Sequence, residues 1–380
     1  MKKPLRKNQA RKLWLDVHLY VGLILGLIIS IVGLTGSLLV FYVELDEILN
    51  PELVIVNPAK TPLPYETIFQ SLRQTEPERQ NGWRLEIPEN PQRMITARYY
   101  TAQEIEHSHF APLLVSVNPY SGEVVKKRFW GDFTMTWIYD LHYTLLLKHT
   151  GKIVMAIVGG FLLISLLSGV YLWLPARHKI VSALLIKRSA SRERFTYDLH
   201  KVSGIYSLIV MLMLAITGIA LEIPEYANPL ISYFSPLQTL SKSPSNFSNQ
   251  PRISLDKAVE IAKQQFPKAR LCWIETPSGN LGSYHIRLRQ ADEPSQRFPK
   301  TNVWIDQYSG EILNVANPKQ FSNGDTVISW FHPLHSGEAF SMTGRLLVFF
   351  SGLCCPILFV TGVLRWLQKR RANGVSAMKN

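Results

Sequence analysis

The sequence predicts an α-helical membrane protein with four core transmembrane helices that arise from an internal duplication, carrying two α+β domains outside the bilayer. Three observations predict it: four long apolar runs almost free of charge, basic residues grouped on alternate sides of those runs, and one span, domain, span unit that occurs twice.

The charged fraction of the 380 residues is 18%, below the roughly 25% of a soluble chain. The deficit lies in Val17 to Val43, Ile153 to Ala176, Val202 to Leu221 and Leu346 to Leu364. Each can cross a bilayer, because about 20 helical residues span a hydrocarbon core of roughly 30 Å. A soluble globular enzyme is excluded. The net charge of +13 implies no nucleic-acid partner, since membrane topology accounts for it. Lys2, Lys3, Arg6, Lys7, Arg11 and Lys12 precede the first run; Arg177, Lys179, Lys187, Arg188, Arg192 and Arg194 separate the second from the third; Lys369, Arg370, Arg371 and Lys379 follow the fourth. Four crossings put all three groups on one side, so both termini and the short loop are expected in the cytoplasm. The first run exceeds the about 7–15 apolar residues of a cleavable signal and reads as a retained anchor.

The expected organisation follows in order. Residues 1–43 form a cytoplasmic tail and first span, 44–136 a first outer domain, 137–176 an interfacial helix and second span, and 177–201 a cytoplasmic loop. Residues 202–222 form the third span, 223–329 a second outer domain, 330–367 an interfacial segment and fourth span, and 368–380 a cytoplasmic tail.

The duplication is read from spacing. Asp16-Val-His18 recurs as Asp198-Leu-His200, and seventeen residues beyond each histidine stands a Thr-Gly pair, Thr35-Gly36 and Thr217-Gly218. Tyr120-Ser-Gly-Glu123 recurs as Tyr308-Ser-Gly-Glu311. Trp137 to His142 matches Trp330 to His335, and the same offset carries Gly151-Lys152 onto Gly344-Arg345 and Gly169 onto Gly362. Within the second outer domain, Ser254 N-caps a helix to Phe266 with Leu255, Val259, Ala262 and Phe266 on one stripe. Tyr284 to Arg289 alternates as a strand, and Val303 to Ile305 runs into a turn at Gly310. Pro58 to Pro64 and Leu237 to Pro251 read as linkers.

Of ten histidines the repeat selects four. His18 and His200 start the first and third spans; His142 and His335 precede the second and fourth. Two pairs at two depths are what two haems with bis-histidine axial ligation require. The face of the first span below His18 carries Gly22, Gly26, Gly33 and Gly36, and that below His200 carries Gly204, Met211, Ala215 and Gly218, small residues that admit a macrocycle or a neighbouring helix. With no Cys-x-x-Cys-His the haems are b-type and non-covalent. His149, with Met342 at its repeat position, and His332 are reserve ligands. His178 reads as solvated, His285 as a sheet residue, and His107 with His109 as surface residues lacking a third ligand. Cys272 cannot pair within its domain, and Cys354 and Cys355 read as apolar packing. No Walker, Gly-x-Gly-x-x-Gly, His-Glu-x-x-His or Ser-His-Asp pattern appears, so neither nucleotide binding nor hydrolysis is expected.

At Leu15-Asp-Val-His18, Tyr197-Asp-Leu-His200, Leu141-His142, Pro333-Leu-His335-Ser-Gly337, Thr361-Gly362 near Trp366, and Ile253 through Phe266-Pro267 to Tyr308-Ser-Gly-Glu311, the chain resembles the PepSY-associated transmembrane proteins, also called iron-regulated inner-membrane proteins. The resemblance spans almost the whole chain. It implies a multi-pass protein of a bacterial inner membrane with PepSY-like periplasmic domains, the first divergent, and, as in some members, a dihaem reductase that releases iron from ferric siderophores. By that resemblance His18, His200, His142 and His335 match the family's histidines.

The expected function is electron transfer from a membrane or cytoplasmic donor to a ferric siderophore or other ferric chelate. Trp130, Trp137, Tyr139, Lys126, Lys127, Arg128 and Trp330 are expected docking residues. The rival is a non-redox protein whose PepSY-like domains bind or restrain a periplasmic protease or other partner.

Overall fold

A computed structural model of the chain describes residues 7–105, 112–187, 191–238 and 243–377. In chain order the helices are α1 (Lys7–Leu39), α2 (Tyr42–Leu49), α3 (Tyr65–Thr75), α4 (Thr134–Thr144), α5 (Lys148–Trp173), α6 (Ile180–Ala183), α7 (Arg192–Glu222), α8 (Pro224–Phe234), α9 (Leu255–Gln265), α10 (Asn323–Ser336) and α11 (Ser341–Ala377). The strands are β1 (Trp83–Glu86), β2 (Ile95–Tyr99), β3 (Leu113–Val117), β4 (Val124–Phe129), β5 (Arg270–Glu275), β6 (Ser283–Arg289), β7 (Thr301–Asp306) and β8 (Ile312–Ala316). They divide between two compact units.

The first unit, Met1–Phe41, Ile138–Ala227 and Leu334–Asn380, is helical. Asn8–Leu39, Lys148–Trp173, Arg192–Glu222 and Glu338–Ala372 are each long and apolar enough to cross a membrane, so the chain is a multi-pass membrane protein. The four long helices form a ring. α1 packs on α5 and α11, and α7 packs on the same two, so α1 and α7 stand diagonally across it. The ring is filled at mid-height by Leu166, Met211 and Cys355, with Ile29, Leu208 and Leu358 against them. α1 and α11 approach closely at Gly33, where a methyl would stand 2.7 Å from both Gly352 O and Cys355 Sγ, the small-residue contact by which membrane helices associate. Cys354 and Cys355 are unbridged within this packing.

α1 ends at Leu39, short of the apolar run's end at Val43. Arg345 donates to Val40 O at 2.7 and 3.1 Å and lies over the Phe41 ring at 4.7 Å, satisfying a carbonyl the helix end leaves open. Between α4 and α5 the backbone reverses through Leu145, Leu146 and Lys148, all at positive φ (51°, 61° and 55°). The turn closes so tightly that the Thr144 carbonyl occupies the place of a Cβ at Gly151. Gly344 meets the Gly337 carbonyl in the same way before α11, which accounts for the glycines of the repeated Gly-Lys and Gly-Arg pairs.

The second unit, Tyr42–Trp137 and Asn228–Pro333, is built on one eight-stranded antiparallel sheet of order β4-β3-β2-β1-β5-β6-β7-β8. Each half supplies a helix followed by a four-stranded meander. The expectation of two separate outer domains is therefore corrected: β1 and β5 pair, with Leu85 opposite Ile274, and fuse the halves. The core lies on the helix-bearing face, where Leu85, Ala97, Val115, Ile274, Ile286 and Ile305 sit beneath Ile68, Leu72, Val259 and Ala262. The helices complete one another. Asp256 Oδ1 and Oδ2 accept from the first-turn amides of Tyr65 and Glu66 at 2.9 and 3.0 Å, and Glu66 Oε2 accepts from Leu255 N at 2.9 Å. Carboxylates at helix N-termini satisfy open amides and oppose the dipole. Ser254 caps α9 as the sequence predicts, accepting from Lys257 N at 3.2 Å. The repeated turns are equivalent: Gly122 and Gly310 have φ of 75° and 76°, each following an Asx oxygen, of Asn118 and Asp306, that accepts from the amide of Tyr120 or Tyr308. The segment from Leu237 to Pro251, expected as a linker, is tied to the sheet unit at Ser245, whose amide donates to Leu281 O and whose hydroxyl accepts from Gln307 N. His107, His109, Lys2, Lys3, Arg6, Arg188 and Lys379 lie outside the described residues.

Candidate functional site

The helical unit assembles its four selected histidines into two pairs. His18 on α1 and His200 on α7 meet across the ring with centroids 6.2 Å apart and planes at 89°. His142 on α4 and His335 on α10 also stand 6.2 Å apart, with planes at 57°. Thr35, which contacts His142, lies seventeen residues beyond His18 on α1, a rise of about 25 Å. The two pairs therefore sit near opposite ends of the bundle.

Each ring is held by a hydroxyl residue and a following glycine on an adjacent helix. His18 Nδ1 is 3.1 Å from Ser168 Oγ and 3.0 Å from Ser165 O. His142 Nδ1 is 3.2 Å from Thr35 Oγ1 and 3.0 Å from Val32 O. His200 Nδ1 is 2.9 Å from Thr361 Oγ1 and 3.1 Å from Leu358 O. His335 Nδ1 is 3.0 Å from Thr217 Oγ1. A carbonyl only accepts, so three of these rings must donate from Nδ1. The hydroxyls agree, because each donates its own hydrogen down its helix: Ser168 to Ser165 O, Thr35 to Ile31 O, Thr361 to Ile357 O and Thr217 to Met213 O. The hydroxyl oxygen is then the acceptor for Nδ1–H in all four. Nε2 carries the lone pair, the tautomer a metal-ligating histidine needs.

The glycines make room for the rings. A methyl at Gly36 would stand 2.8 Å from His142 Cε1, at Gly218 3.0 Å from His335 Cε1, at Gly169 3.2 Å from His18 Cε1 and at Gly362 3.6 Å from His200 Cε1. Thr35, Ser168, Thr217 and Thr361 are all buried. This use of the Thr-Gly pairs is the feature that sequence reasoning missed, although the repeat marks them. The expected glycine face below His18 serves other ends: Gly26 meets Phe359, Gly33 meets α11, Gly36 meets His142, and nothing lies within 4 Å of a methyl at Gly22.

The reserve ligands are placed differently. His149 is exposed at the start of α5, and His332 packs edge-on against Phe298 at 4.3 Å. Met342 is exposed. His178 is exposed, and His285 is a sheet residue stacked on Trp304 at 4.4 Å. Among the described residues no group of three or more His, Cys, Asp or Glu side chains converges on a point.

The expected docking cations are engaged by acids. Arg128 makes a two-armed bridge to Asp46 at 2.8 Å, Lys126 pairs with Glu52, and Lys127 pairs with Glu76. Trp130 is buried with Arg98 over its ring, whereas Trp137 and Trp330 are exposed.

No curated protein matches the chain. The family described as PepSY-associated TM region matches residues 15–369, a stretch that contains all four histidines and all four of their hydroxyl-glycine partners. On that match, the chain belongs to the PepSY-associated transmembrane family.

Proposed function

We propose that this protein is a transmembrane dihaem electron-transfer protein of a bacterial inner membrane that reduces ferric chelates, ferric siderophores foremost, on the periplasmic side, and that its two halves descend from a duplication. In this reading both termini are cytoplasmic and the sheet unit is periplasmic, in keeping with the basic groups before, between and after the spans. The observation that carries the proposal is the spacing of the two imidazole pairs. Two imidazoles ligating one iron on a common axis hold their centres about 6.2 Å apart, from a metal–nitrogen distance of about 2.0 Å and about 1.1 Å more to each ring centre. Both pairs stand at 6.2 Å, and hydroxyls and carbonyls hold their lone pairs on Nε2.

Two b-type haems, held by His18 with His200 and by His142 with His335, would supply one-electron redox chemistry at the two ends of the bundle. The chain would contribute the ligating nitrogens; it fixes their tautomer through Ser168, Thr361, Thr35 and Thr217, and clears the space beside the rings with glycine. The reaction moves one electron to Fe(III) and needs no acid or base. Reduction promotes release, since hard oxygen donors hold Fe(II) less well than Fe(III).

Haem quantified by pyridine haemochrome should approach about two per chain; a colourless, folded protein from haem-replete cells refutes the proposal. In oriented vesicles with reductant confined to the cytoplasmic side, Fe(II) should appear outside. His200→Ala should abolish that transfer while externally added dithionite still drives chelate reduction.

A further inference from the structure

The sheet has a second face, opposite its helices, and its residues are not those of an ordinary solvated surface. Alternation places Arg84 on β1, Trp273 and Glu275 on β5 and Arg287 on β6 there, with Arg84 opposite Glu275 and Trp273 opposite Arg287. Both guanidiniums lie over the Trp273 ring, at 4.3 and 4.8 Å, and Arg84 also lies 5.1 Å from the Tyr100 ring. Glu275 Oε1 bridges the two cations at 3.0 and 3.2 Å. Arg98, Arg289 and Lys300 extend the group, while Glu86 and Glu293 oppose it. Five cations against three carboxylates leave a surplus of two positive charges.

Part of the hydrogen-bonding capacity of these cations is unused. Arg287 Nε is buried with no hydrogen bond, and among the described residues no hydrogen bond or ion pair forms at Lys300 Nζ. Burial holds the Lys300 ammonium below its ordinary pKa, and the Arg287 charge adds to the shift. Two guanidiniums that share one carboxylate over an aromatic ring, with a further ammonium beside them, favour a ligand that brings negative charge and flat rings. Trp273 also meets Phe298 at 5.8 Å, and Phe298 meets His332.

We infer that Arg84, Arg287 and Lys300, with the exposed Tyr100 beside them and the buried Trp273 holding the two guanidiniums in place, form the docking site for the iron substrate, and that it selects an anionic chelate with aromatic oxygen donors, of the tris-catecholate class, over neutral or cationic hydroxamate chelates. The inference rests on the ferric-chelate reductase reading for the identity of the metal, and it adds the charge and donor class of the ligand.

Binding is measured with redox-inert gallium(III), so that the result is independent of haem. The full-length protein in detergent is titrated with gallium(III) tris-catecholate and with a gallium(III) trihydroxamate, following tryptophan fluorescence. The tris-catecholate should bind, and the trihydroxamate should bind at least about tenfold more weakly. Arg287→Gln and Lys300→Gln should each weaken tris-catecholate binding about tenfold or more. Glu275→Gln removes the competing carboxylate and should tighten it, an effect that loss of folding cannot produce. Equal affinity for the two chelates, an unchanged Kd in Arg287→Gln and Lys300→Gln, or weaker binding by Glu275→Gln overturns the inference. Selective tris-catecholate binding by a protein found to lack haem would uphold this site and refute the redox reading instead.

Discussion

Replacing Gly36 by alanine places a methyl 2.8 Å from His142 Cε1, whereas the equivalent change at Gly362 leaves 3.6 Å to His200 Cε1. Carbon atoms settle at about 3.5–4.0 Å, so Gly36→Ala must drive the His142 ring back by roughly 0.7 Å and Gly362→Ala need move nothing. A ligand constellation tolerates about 0.5 Å. The first change exceeds that limit and the second does not. Overpacking of this kind costs about 1–3 kcal/mol, a factor of roughly 5 to 150 in haem affinity at that site. The helix itself is not weakened, since alanine is the better helix former by about 1 kcal/mol. Gly218 at 3.0 Å and Gly169 at 3.2 Å fall between the extremes, giving a rank order of damage from Gly36 through Gly218 and Gly169 to Gly362. The assay is haem content and a potentiometric titration of each variant expressed in haem-replete cells. Gly36→Ala should lose or shift the His142/His335 haem alone, and Gly362→Ala should match the parent within about twofold. A Gly36→Ala protein with both haems at parental potentials, or a Gly362→Ala protein more damaged than Gly36→Ala, refutes the reasoning.

His18→Ala and His200→Ala should delete the same haem from the optical spectrum, and His142→Ala and His335→Ala the other; loss of different haems within a pair contradicts the pairing seen at 6.2 Å. Thr361→Val removes an acceptor 2.9 Å from His200 Nδ1, making the imidazole a poorer donor to Fe(III), so the potential of that haem should rise by up to about 40 mV; an unchanged or lower potential counts against it. Burial alone would raise the pKa of Glu275, but the hydrogen bond from His285 and the charges of Arg287 and Arg84 outweigh it and draw the group down to about 2. A folded pKa below the unfolded one stabilises the protein above the unfolded value, and that contribution is lost as pH falls through about 4.5 towards 2. Glu275→Gln should therefore cost about 3 kcal/mol at pH 7, less than half of that near pH 3, and converge on the parent only towards pH 2 and below, in urea unfolding followed by tryptophan fluorescence; equal destabilisation at pH 7 and pH 3 would exclude this origin.

Much of the membrane half was legible because its signals are periodic and repeated. Apolar length marks α1, α5, α7 and α11, and the common spacing of His18 and His200 from their Thr-Gly pairs marks the four rings. The role of those pairs was not legible, because Thr35 serves the histidine of α4 rather than the one on its own helix, a contact between residues 107 positions apart. The break between α4 and α5 was hidden too, since Leu145, Leu146 and Lys148 are not residues that ordinarily take positive φ. In the sheet unit the Ser254 cap and the β6 alternation are local and were readable. The β1–β5 junction is non-local: nothing near Arg84 announces that it lies opposite Glu275. The first meander was obscured by strands as short as Trp83–Glu86, yet it follows the same order as the second.

The exchange of Glu66 and Asp256 between the starts of α3 and α9 bears on how the chain can be divided. A protein cut near residue 190 would leave each half with one helix whose first amides lack their carboxylate and one central strand with a bare edge. Bare edges seek another strand, and the edge of the opposite half offers matching register and, at Arg84 and Glu275, opposite charge. The two pieces should therefore be insoluble when made singly and recover each other when made together. In that sense the eight-stranded sheet acts as the clasp by which two half-length membrane hairpins recognise the correct mate.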